Sequence, residues 1–187
     1  MKNKDILEFS KRTKADAVAL LAQTNLIDIL KKYGEVIILG SYEYDLMWGA
    51  DIDIMVISRD TRKSSLEALN QVVEAKLAQK YEYGDFVTFK REKRPESYIL
   101  NLILPFNDRK WEVEIWFFNK IPDNQKEIND LMKTKLNEKN KLAILKIKEK
   151  RERTGLTKYS LSSVDIYKKV LLEPPPSRKN LVEKVRH

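Results

Sequence analysis

Residues 36–57 read VIILGSYEYDLMWGADIDIMVI, and this segment decides the fold. Its two apolar runs predict buried strands over residues 35–39 and 51–58. The second strand begins with Asp51 and Asp53, and side chains two positions apart on a strand point to the same face. Two like charges at the start of a buried strand repel each other unless a cation lies between them. The pair therefore indicates a metal site, although a strand end exposed to water would also accommodate it.

Gly40 and Ser41 end the first of these strands and lead into a short helix or turn over residues 42–49. A glycine lets the backbone approach a ligand closely, and amides at a helix N-terminus attract phosphate. The serine hydroxyl adds a further hydrogen-bonding group. These residues predict a phosphate-binding turn, but an ordinary turn at the end of a strand has the same composition.

A third acidic position follows in the strand WEVEIWFF, residues 111–118. Glu112 and Glu114 share one face of this otherwise apolar strand, and Trp116 and Phe118 lie on the same face. A carboxylate buried in such a strand is costly without a partner, so it becomes explicable as part of a metal site. An edge strand with one solvated face is the alternative, and it suits Glu112 in particular.

The order and spacing of these three pieces resemble the nucleotidyltransferase superfamily, in the form of the minimal domain found in DNA polymerase beta-like proteins. The resemblance extends over residues 15–118 and favours Glu114 over Glu112, because Val113-Glu114-Ile115-Trp116-Phe117 looks like the strand that carries the family's third carboxylate. It implies that two Mg²⁺ or Mn²⁺ ions are held by three catalytic carboxylates, namely Asp51, Asp53 and Glu114. It also implies that Gly40 and Ser41 bind a nucleoside triphosphate. The weaker candidates for this site are Glu112, Lys146 and Lys148.

The remaining pattern predicts an α/β or α+β fold, in which helices flank a mixed sheet of about five strands. Further strands are expected over residues 86–89, 98–106 and 111–118, with a hairpin turn at 107–110. Helices are expected over residues 13–33, 63–81, 124–150 and 163–172, with Gly155 as a break and a loose segment from Pro174 onward. We expect a core domain over residues 1–120 and a helical, Lys-rich extension over residues 121–187.

Composition limits the available chemistry. The 187 residues include no cysteine, and the one histidine is the last residue, His187. Thiolate catalysis, disulfides and histidine-based mechanisms are therefore excluded or disfavoured. Carboxylates, hydroxyls and amines remain, and oxygen ligands suit hard cations such as Mg²⁺ or Mn²⁺.

Charge is unevenly distributed along the chain. Residues 121–187 hold 17 of the 36 basic and 9 of the 28 acidic residues, and so they account for the whole net charge of +8. Such a region suggests a polyanionic partner, although a solvated Lys-rich helix has the same composition. No apolar run has the length of a membrane span, and no signal-peptide core is present, so a cytoplasmic protein without a membrane partner is expected.

The resemblance implies an enzyme that moves a nucleoside monophosphate from a nucleoside triphosphate to an unidentified hydroxyl acceptor and releases pyrophosphate. The basic region favours an anionic acceptor such as RNA. Trp48, Trp111 and Trp116 are candidate stacking platforms, but a role in the core is favoured for all three. Two alternatives stay open. The first is an inactive nucleotide- or metal-binding module, including one half of a toxin–antitoxin pair. The second is a basic RNA-binding protein. A homodimer or a helical protein partner is compatible with each of these readings.

Overall fold

The computed structural model describes residues 2–92, 94–157 and 160–172. These residues form one five-stranded sheet with helices packed around it. The strands are β1 Glu35–Leu39, β2 Asp51–Ile57, β3 Lys80–Asp85, β4 Tyr98–Phe106 and β5 Arg109–Phe118. The helices are α1 Asn3–Thr24, α2 Leu26–Lys31, α3 Gly40–Glu43, α4 Thr61–Glu74, α5 Asp123–Lys135, α6 Glu138–Arg153 and α7 Ser163–Leu172.

The sheet is mixed, as the sequence predicts. Its strand order is β1-β2-β5-β4-β3, in which β2 and β5 are parallel and the other neighbouring pairs are antiparallel. The strand that begins with Asp51 therefore lies directly beside the strand that carries Glu114, although many residues separate the two in sequence.

One face of the sheet is apolar and covered by helices. Ile52 and Ile54 on β2, and Val113 and Ile115 on β5, are buried against residues of α1, α2 and α4. A shift of one residue in either strand would turn these side chains outward and bring the carboxylates into the core. Burial of this face thus fixes the register that places the acidic residues together on the opposite face.

The C-terminal helices form a second apolar core. Side chains of α5, α6 and α7 pack with Ile6 of α1 and with Tyr44, Leu46 and Trp48. The indole nitrogen of Trp48 also donates a hydrogen bond of 2.5 Å to Glu152 on α6. These contacts place the three helices beside the segment that joins α3 to β2. The expected division of the chain near residue 120 stays a prediction.

The prediction of a strand at residues 86–89 is wrong. The strand lies earlier, at Lys80–Asp85, and the helix predicted over 63–81 ends at Glu74. Asp85 accepts hydrogen bonds from the backbone amides of Val87 and Thr88 at 3.0 and 2.8 Å, which folds the chain into a turn. Short polar side chains that bind nearby amides in this way compete with strand pairing.

Two predicted helices are interrupted. Asn25, at a φ of 52°, separates α1 from α2 within the helix predicted over residues 13–33, and α1 begins at Asn3. Leu136 is extended and the Asn137 side chain accepts from the amide of Asn140, so the helix predicted over 124–150 is two helices.

The hairpin turn predicted at residues 107–110 spans only residues 107–108, because Arg109 pairs with Phe106. The segment predicted to be loose from residue 174 lies outside the described residues. Within residues 2–92, 94–157 and 160–172, no helix is both long and apolar enough to cross a membrane.

Candidate active site

Four carboxylates lie opposite one another on the central strands. In the parallel pair, Asp51 is opposite Glu112 and Asp53 is opposite Glu114. All four side chains are half-buried and lie on the face that α1, α2 and α4 leave open. Neighbouring strands lie about 4.8 Å apart, so side chains at paired positions are close neighbours. The fold thus places the three carboxylates that the resemblance implies, and Glu112 with them, at paired positions on one face of the sheet.

Glu112 differs from Glu114 in its surroundings. Asn101 on β4 donates a hydrogen bond of 3.2 Å from its side-chain amide to Glu112. Asn101 itself is the strand partner of Glu114. This hydrogen bond ties Glu112 to the next strand, whereas Glu114 lies directly opposite Asp53, nearer the turn after β1.

The Gly40-Ser41 turn lies against Asp53. Leu39, the last residue of β1, is the strand partner of Asp53, and Gly40 begins α3 with a φ of 63°. A Cβ atom added to Gly40 would lie 3.0 Å from a carboxylate oxygen of Asp53. Both the left-handed backbone and the close approach favour glycine here. The predicted phosphate-binding residues and the predicted metal ligands are therefore adjacent.

A buried lysine lies beside this turn. Lys148 on α6 is 1% exposed, and its ammonium donates hydrogen bonds to the hydroxyl of Ser41 at 2.6 Å, the carbonyl of Leu46 at 2.9 Å and the hydroxyl of Tyr167 at 3.3 Å. All three acceptors are neutral oxygens. A buried charge is costly unless an opposite charge compensates it, so an anion bound at Ser41 would stabilise Lys148. Lys146, the other lysine candidate, is exposed on α6.

Two cavities meet at Asp53 and Glu114. The first, of about 430 Å³, has four aromatic side chains in its wall. Its walls include Gly40, Ser41, Tyr44, Asp53, Glu114, Trp116, Phe118, Asn124, Gln125 and Tyr167. We call it the aromatic compartment. The second, of about 580 Å³, has mostly charged and polar walls and shares Asp53 and Glu114 with the first. Its walls include Asp51, Asp53, Arg94, Lys110, Glu112, Glu114 and Arg151. We call it the charged compartment.

Tyr44 is one wall of the aromatic compartment that sequence reasoning missed. Burial raises the pKa of its hydroxyl, and the neighbouring Glu43 raises it further. The neutral hydroxyl donates a hydrogen bond of 3.1 Å to the side chain of Asn129 on α5. No sequence motif pointed to Tyr44, Tyr167 or Arg151 as site residues. Each lies outside the three segments on which the resemblance depends.

Two of the three tryptophans lie in the core, as the sequence analysis favours. Trp48 and Trp111 are buried, and Trp48 packs among the C-terminal helices. Trp116 is only half-buried and lines the aromatic compartment beside Glu114. Its ring lies parallel to that of Phe118, with ring centres 6.2 Å apart. Trp116 is therefore the tryptophan that a ligand in this compartment would contact.

The carboxylates suit a hard divalent cation in their chemistry. Among the described residues, no three acidic side chains are already gathered closely enough to hold a metal ion. The register nevertheless places Asp51, Asp53 and Glu114 on neighbouring positions of one face, and their oxygen ligands match the preference of Mg²⁺ and Mn²⁺. Asp51, Asp53 and Glu114 are therefore the residues that would hold such an ion.

Comparison with known proteins identifies the fold. No protein-family model and no curated protein sequence matches the chain. The structure is similar to that of the Cid1 poly(U) polymerase with Mg and 3′-dATP bound, with a TM-score of 0.62 and 19% identity over 88% of this chain and 52% of that one. It is also similar to a cytoplasmic RNA terminal U-transferase, with a TM-score of 0.56 and 20% identity over 89% of this chain and 52% of the other. The poly(A) polymerase complex GLD-2–GLD-3 gives a TM-score of 0.55 and 12% identity over 89% of this chain and 57% of the other.

The chain thus has the nucleotidyltransferase fold, and the resemblance inferred from the Gly40-Ser41 turn and the Asp51-Ile52-Asp53 segment is confirmed at the level of the fold. It spans about half the length of these solved polymerases. Likeness at such low identity establishes the fold, whereas the chemistry has to be argued from the site.

Proposed function

We propose that the protein is a metal-dependent nucleotidyltransferase that transfers a nucleoside monophosphate from a nucleoside triphosphate to a hydroxyl acceptor. One observation carries this proposal. The Gly40-Ser41 turn lies between the carboxylate of Asp53 and the buried ammonium of Lys148. A triphosphate complexed with a divalent cation needs acidic ligands for the cation and a positive charge for its phosphates. Asp53 beside Gly40 and Lys148 beside Ser41 supply these two kinds of group.

The triphosphate would bind at the turn. The hydroxyl of Ser41 supplies a hydrogen bond to the terminal phosphates, and the ammonium of Lys148, which already donates to Ser41 at 2.6 Å, to Leu46 and to Tyr167, supplies one buried positive charge behind that hydroxyl. The absence of a side chain at Gly40 lets a phosphate approach the backbone next to Asp53. The base and sugar would occupy the aromatic compartment, whose volume of about 430 Å³ falls within the range of small-molecule sites.

Asp51, Asp53 and Glu114 would hold the divalent cations, with Glu112 as an additional acidic neighbour. When bound, Mg²⁺ or Mn²⁺ neutralises phosphate charge and lowers the pKa of the acceptor hydroxyl. Asn101 keeps Glu112 on the β4 side of this group through its hydrogen bond of 3.2 Å. The paired register of β2 and β5 keeps the carboxylates adjacent in the folded chain.

The reaction joins the acceptor in the charged compartment to the nucleotide in the aromatic compartment. An acceptor hydroxyl that enters from the charged compartment meets the α-phosphate near Asp53 and Glu114, which line both compartments. The acceptor oxygen forms a bond to the α-phosphorus, the bond between that phosphorus and the bridging oxygen to the β-phosphate breaks, and pyrophosphate leaves. The hydroxyl proton passes to solvent. RNA is the first acceptor to test, because the similar structures include a poly(U) polymerase and an RNA terminal U-transferase.

Calorimetry tests the proposal. Each of the common nucleoside triphosphates would be titrated with and without Mg²⁺ into the wild-type protein and into the Asp51→Ala/Asp53→Ala variant. We expect Mg²⁺-dependent binding that the double variant loses. No binding of any triphosphate by the folded wild-type protein would contradict the proposal. Binding without any transfer to RNA or to small hydroxyl acceptors would instead favour the inactive module.

A further inference from the structure

The loop between β3 and β4 is rich in basic and aromatic residues. Residues 86–96 read FVTFKREKRPE, so phenylalanines are followed by a run of lysine and arginine. Neither the metal-binding nor the triphosphate-binding residues proposed above come from this loop. Its described basic side chains Lys90, Arg91 and Arg94, and its aromatic side chains Phe86 and Phe89, therefore need another explanation.

The first part of the loop is an ordered turn that presents Phe89 to solvent. Asp85 accepts hydrogen bonds from the amides of Val87 and Thr88, and its carbonyl accepts from the amide of Phe89 at 3.3 Å. The backbone hydrogen bond from Thr88 lowers the pKa of Asp85 and keeps it ionised. Phe89 is 73% exposed, which makes it the most exposed large apolar side chain in the described part of the chain.

Arginines and aromatic rings alternate from the turn towards the active site. The guanidinium of Arg91 lies 5.0 Å from the ring centre of Phe86. The guanidinium of Arg94 lies 5.3 Å from the ring centre of Phe86 and 5.6 Å from that of Trp116. Arg94 also lines the charged compartment with the four carboxylates. Arg91, Phe86, Arg94 and Trp116 therefore form a series of alternating cations and rings that leads to the charged compartment.

We propose that this loop binds the acceptor, and that the acceptor is a single-stranded polynucleotide whose terminal hydroxyl enters the charged compartment. Exposed rings beside basic side chains are the features that bind single strands without sequence preference, because every base can stack and every linkage carries a phosphate. Phe89 supplies the exposed stacking surface, and Lys90 and Arg91 supply charge beside it. This inference rests on the proposed function, since it identifies the substrate class of the same site.

Charge argues for a nucleic acid over an apolar partner. Lys90 and Arg91 are exposed side chains in a loop whose only acidic residues are Glu92 and Glu96. Glu96 already pairs with Lys90 at 2.5 Å. A docking surface for an apolar protein face would need several exposed apolar side chains together, whereas Phe89 is a single ring among cations. A base with its neighbouring phosphates matches that arrangement.

Fluorescence anisotropy with a labelled, unstructured single-stranded RNA, in the absence of nucleotide and divalent metal, tests this proposal. We expect Phe89→Ala to weaken binding about tenfold, the usual size of one stacking contact. Lys90→Ala/Arg91→Ala should lower the slope of log affinity against log salt by about one to two between about 50 and 200 mM salt. Lys31→Ala/Lys32→Ala, which removes equal charge from the exposed end of α2, should leave both quantities unchanged.

The same variants separate this inference from the proposed function. Triphosphate binding should be unaffected by Phe89→Ala and by Lys90→Ala/Arg91→Ala, because these side chains line neither compartment. Wild-type affinity for RNA in both loop variants would overturn the inference, as would absence of RNA binding by a wild-type protein that binds triphosphate. RNA binding that depends on the loop in a protein without triphosphate binding would instead support the surface and contradict the transferase.

Tighter binding of anionic vesicles or of an acidic protein than of single-stranded RNA would also overturn the inference. Double-stranded RNA serves as a second comparison, because its bases are stacked inside the helix and cannot stack on Phe89. We expect Phe89→Ala to change single-strand affinity much more than duplex affinity. Equal losses on both forms would show that the ring does not contact bases.

Discussion

Lys148 donates a hydrogen bond of 2.6 Å to the hydroxyl of Ser41, which joins the middle of α6 to the turn that follows β1. The two residues are far apart in sequence, and each was a separate candidate for the triphosphate site. Their contact gives the C-terminal helices a direct connection to the proposed site of chemistry. It also separates the two lysine candidates, because Lys146 points to solvent on the same helix.

Replacement of Lys148 by methionine should weaken triphosphate binding about tenfold to hundredfold, because it removes a buried positive charge and the charged hydrogen bond, of about 1.5–3 kcal/mol, that positions the Ser41 hydroxyl. The melting temperature should fall modestly, because the substitution leaves the carbonyl of Leu46 and the hydroxyls of Ser41 and Tyr167 without their buried donor. Calorimetry and thermal unfolding would measure the two effects. Lys146→Met is the matched control, and equal affinity in both variants would show that Lys148 has only a structural role.

Glu114→Gln and Glu112→Gln distinguish the two candidates for the third carboxylate. Both changes remove one charge at nearly constant volume, but Glu114 lies opposite Asp53 whereas Glu112 lies opposite Asp51 and accepts from Asn101. We expect Glu114→Gln to reduce nucleotidyl transfer by at least about a hundredfold, because each missing acidic ligand weakens the cation site. Glu112→Gln should have a much smaller effect. Steady-state transfer rates at several Mg²⁺ concentrations would decide, and the reverse order would make Glu112 the ligand.

Gly40→Ala should destabilise the fold by about 1–2 kcal/mol and abolish triphosphate binding. The substitution forces a side chain into a left-handed backbone and places its Cβ 3.0 Å from an oxygen of Asp53. Gly155→Ala is the control, because Gly155 also has a positive φ, of 70°, but a Cβ there has no neighbour within 4 Å among the described residues. Urea denaturation should show comparable backbone strain in both variants. Triphosphate binding should survive in Gly155→Ala alone.

The carboxylate of Asp45 predicts a pH-dependent contribution to stability. Partial burial tends to raise its pKa, but hydrogen bonds and charge from Lys14 on α1 and Lys141 on α6 outweigh this effect and hold the pKa below the ordinary value of 3.8. A carboxyl whose folded pKa is lowered stabilises the protein above its unfolded pKa and loses that contribution as the pH falls through the folded value.

We therefore expect Asp45→Asn to lower the melting temperature slightly at neutral pH, by an amount that vanishes as the pH falls below about 4. Asparagine tolerates the positive φ of 58° at this position, so the comparison isolates the charge. Thermal unfolding as a function of pH would measure it. A difference between wild type and variant that persists at acidic pH would contradict the assigned role of the ion pairs.

The central part of the fold could be predicted because its signals are local. The apolar runs of β1 and β2 stand out in sequence, and Gly40, Asp51 and Asp53 lie at their ends. Register then follows from burial of one face, since the carboxylates share the opposite face with Trp116. The fold class and the mixed sheet are confirmed, whereas the roles of the acidic residues stay predictions.

Local signals failed where side chains or distant contacts decide the structure. β3 reads KYEYGD, which has no apolar run, and it forms a strand because Tyr83 packs on the core and Asp85 ends it with a turn. Helical periodicity placed both Lys146 and Lys148 on one helix but could not show which of them faces Ser41. That choice depends on how α6 packs against residues about a hundred positions earlier in the chain, as in the hydrogen bond between Lys148 and Leu46.

The parallel pairing of β2 and β5 has a consequence for folding. Strands joined in parallel need a long crossover, and here α4, β3 and β4 all lie between Asp53 and Glu114. Contacts between residues so distant in sequence form late, because the entropy of closing the intervening chain has to be overcome first. During synthesis, Asp53 cannot meet its opposite carboxylate until β5 has left the ribosome. Catalytic competence would then be one of the last properties that a newly made chain acquires.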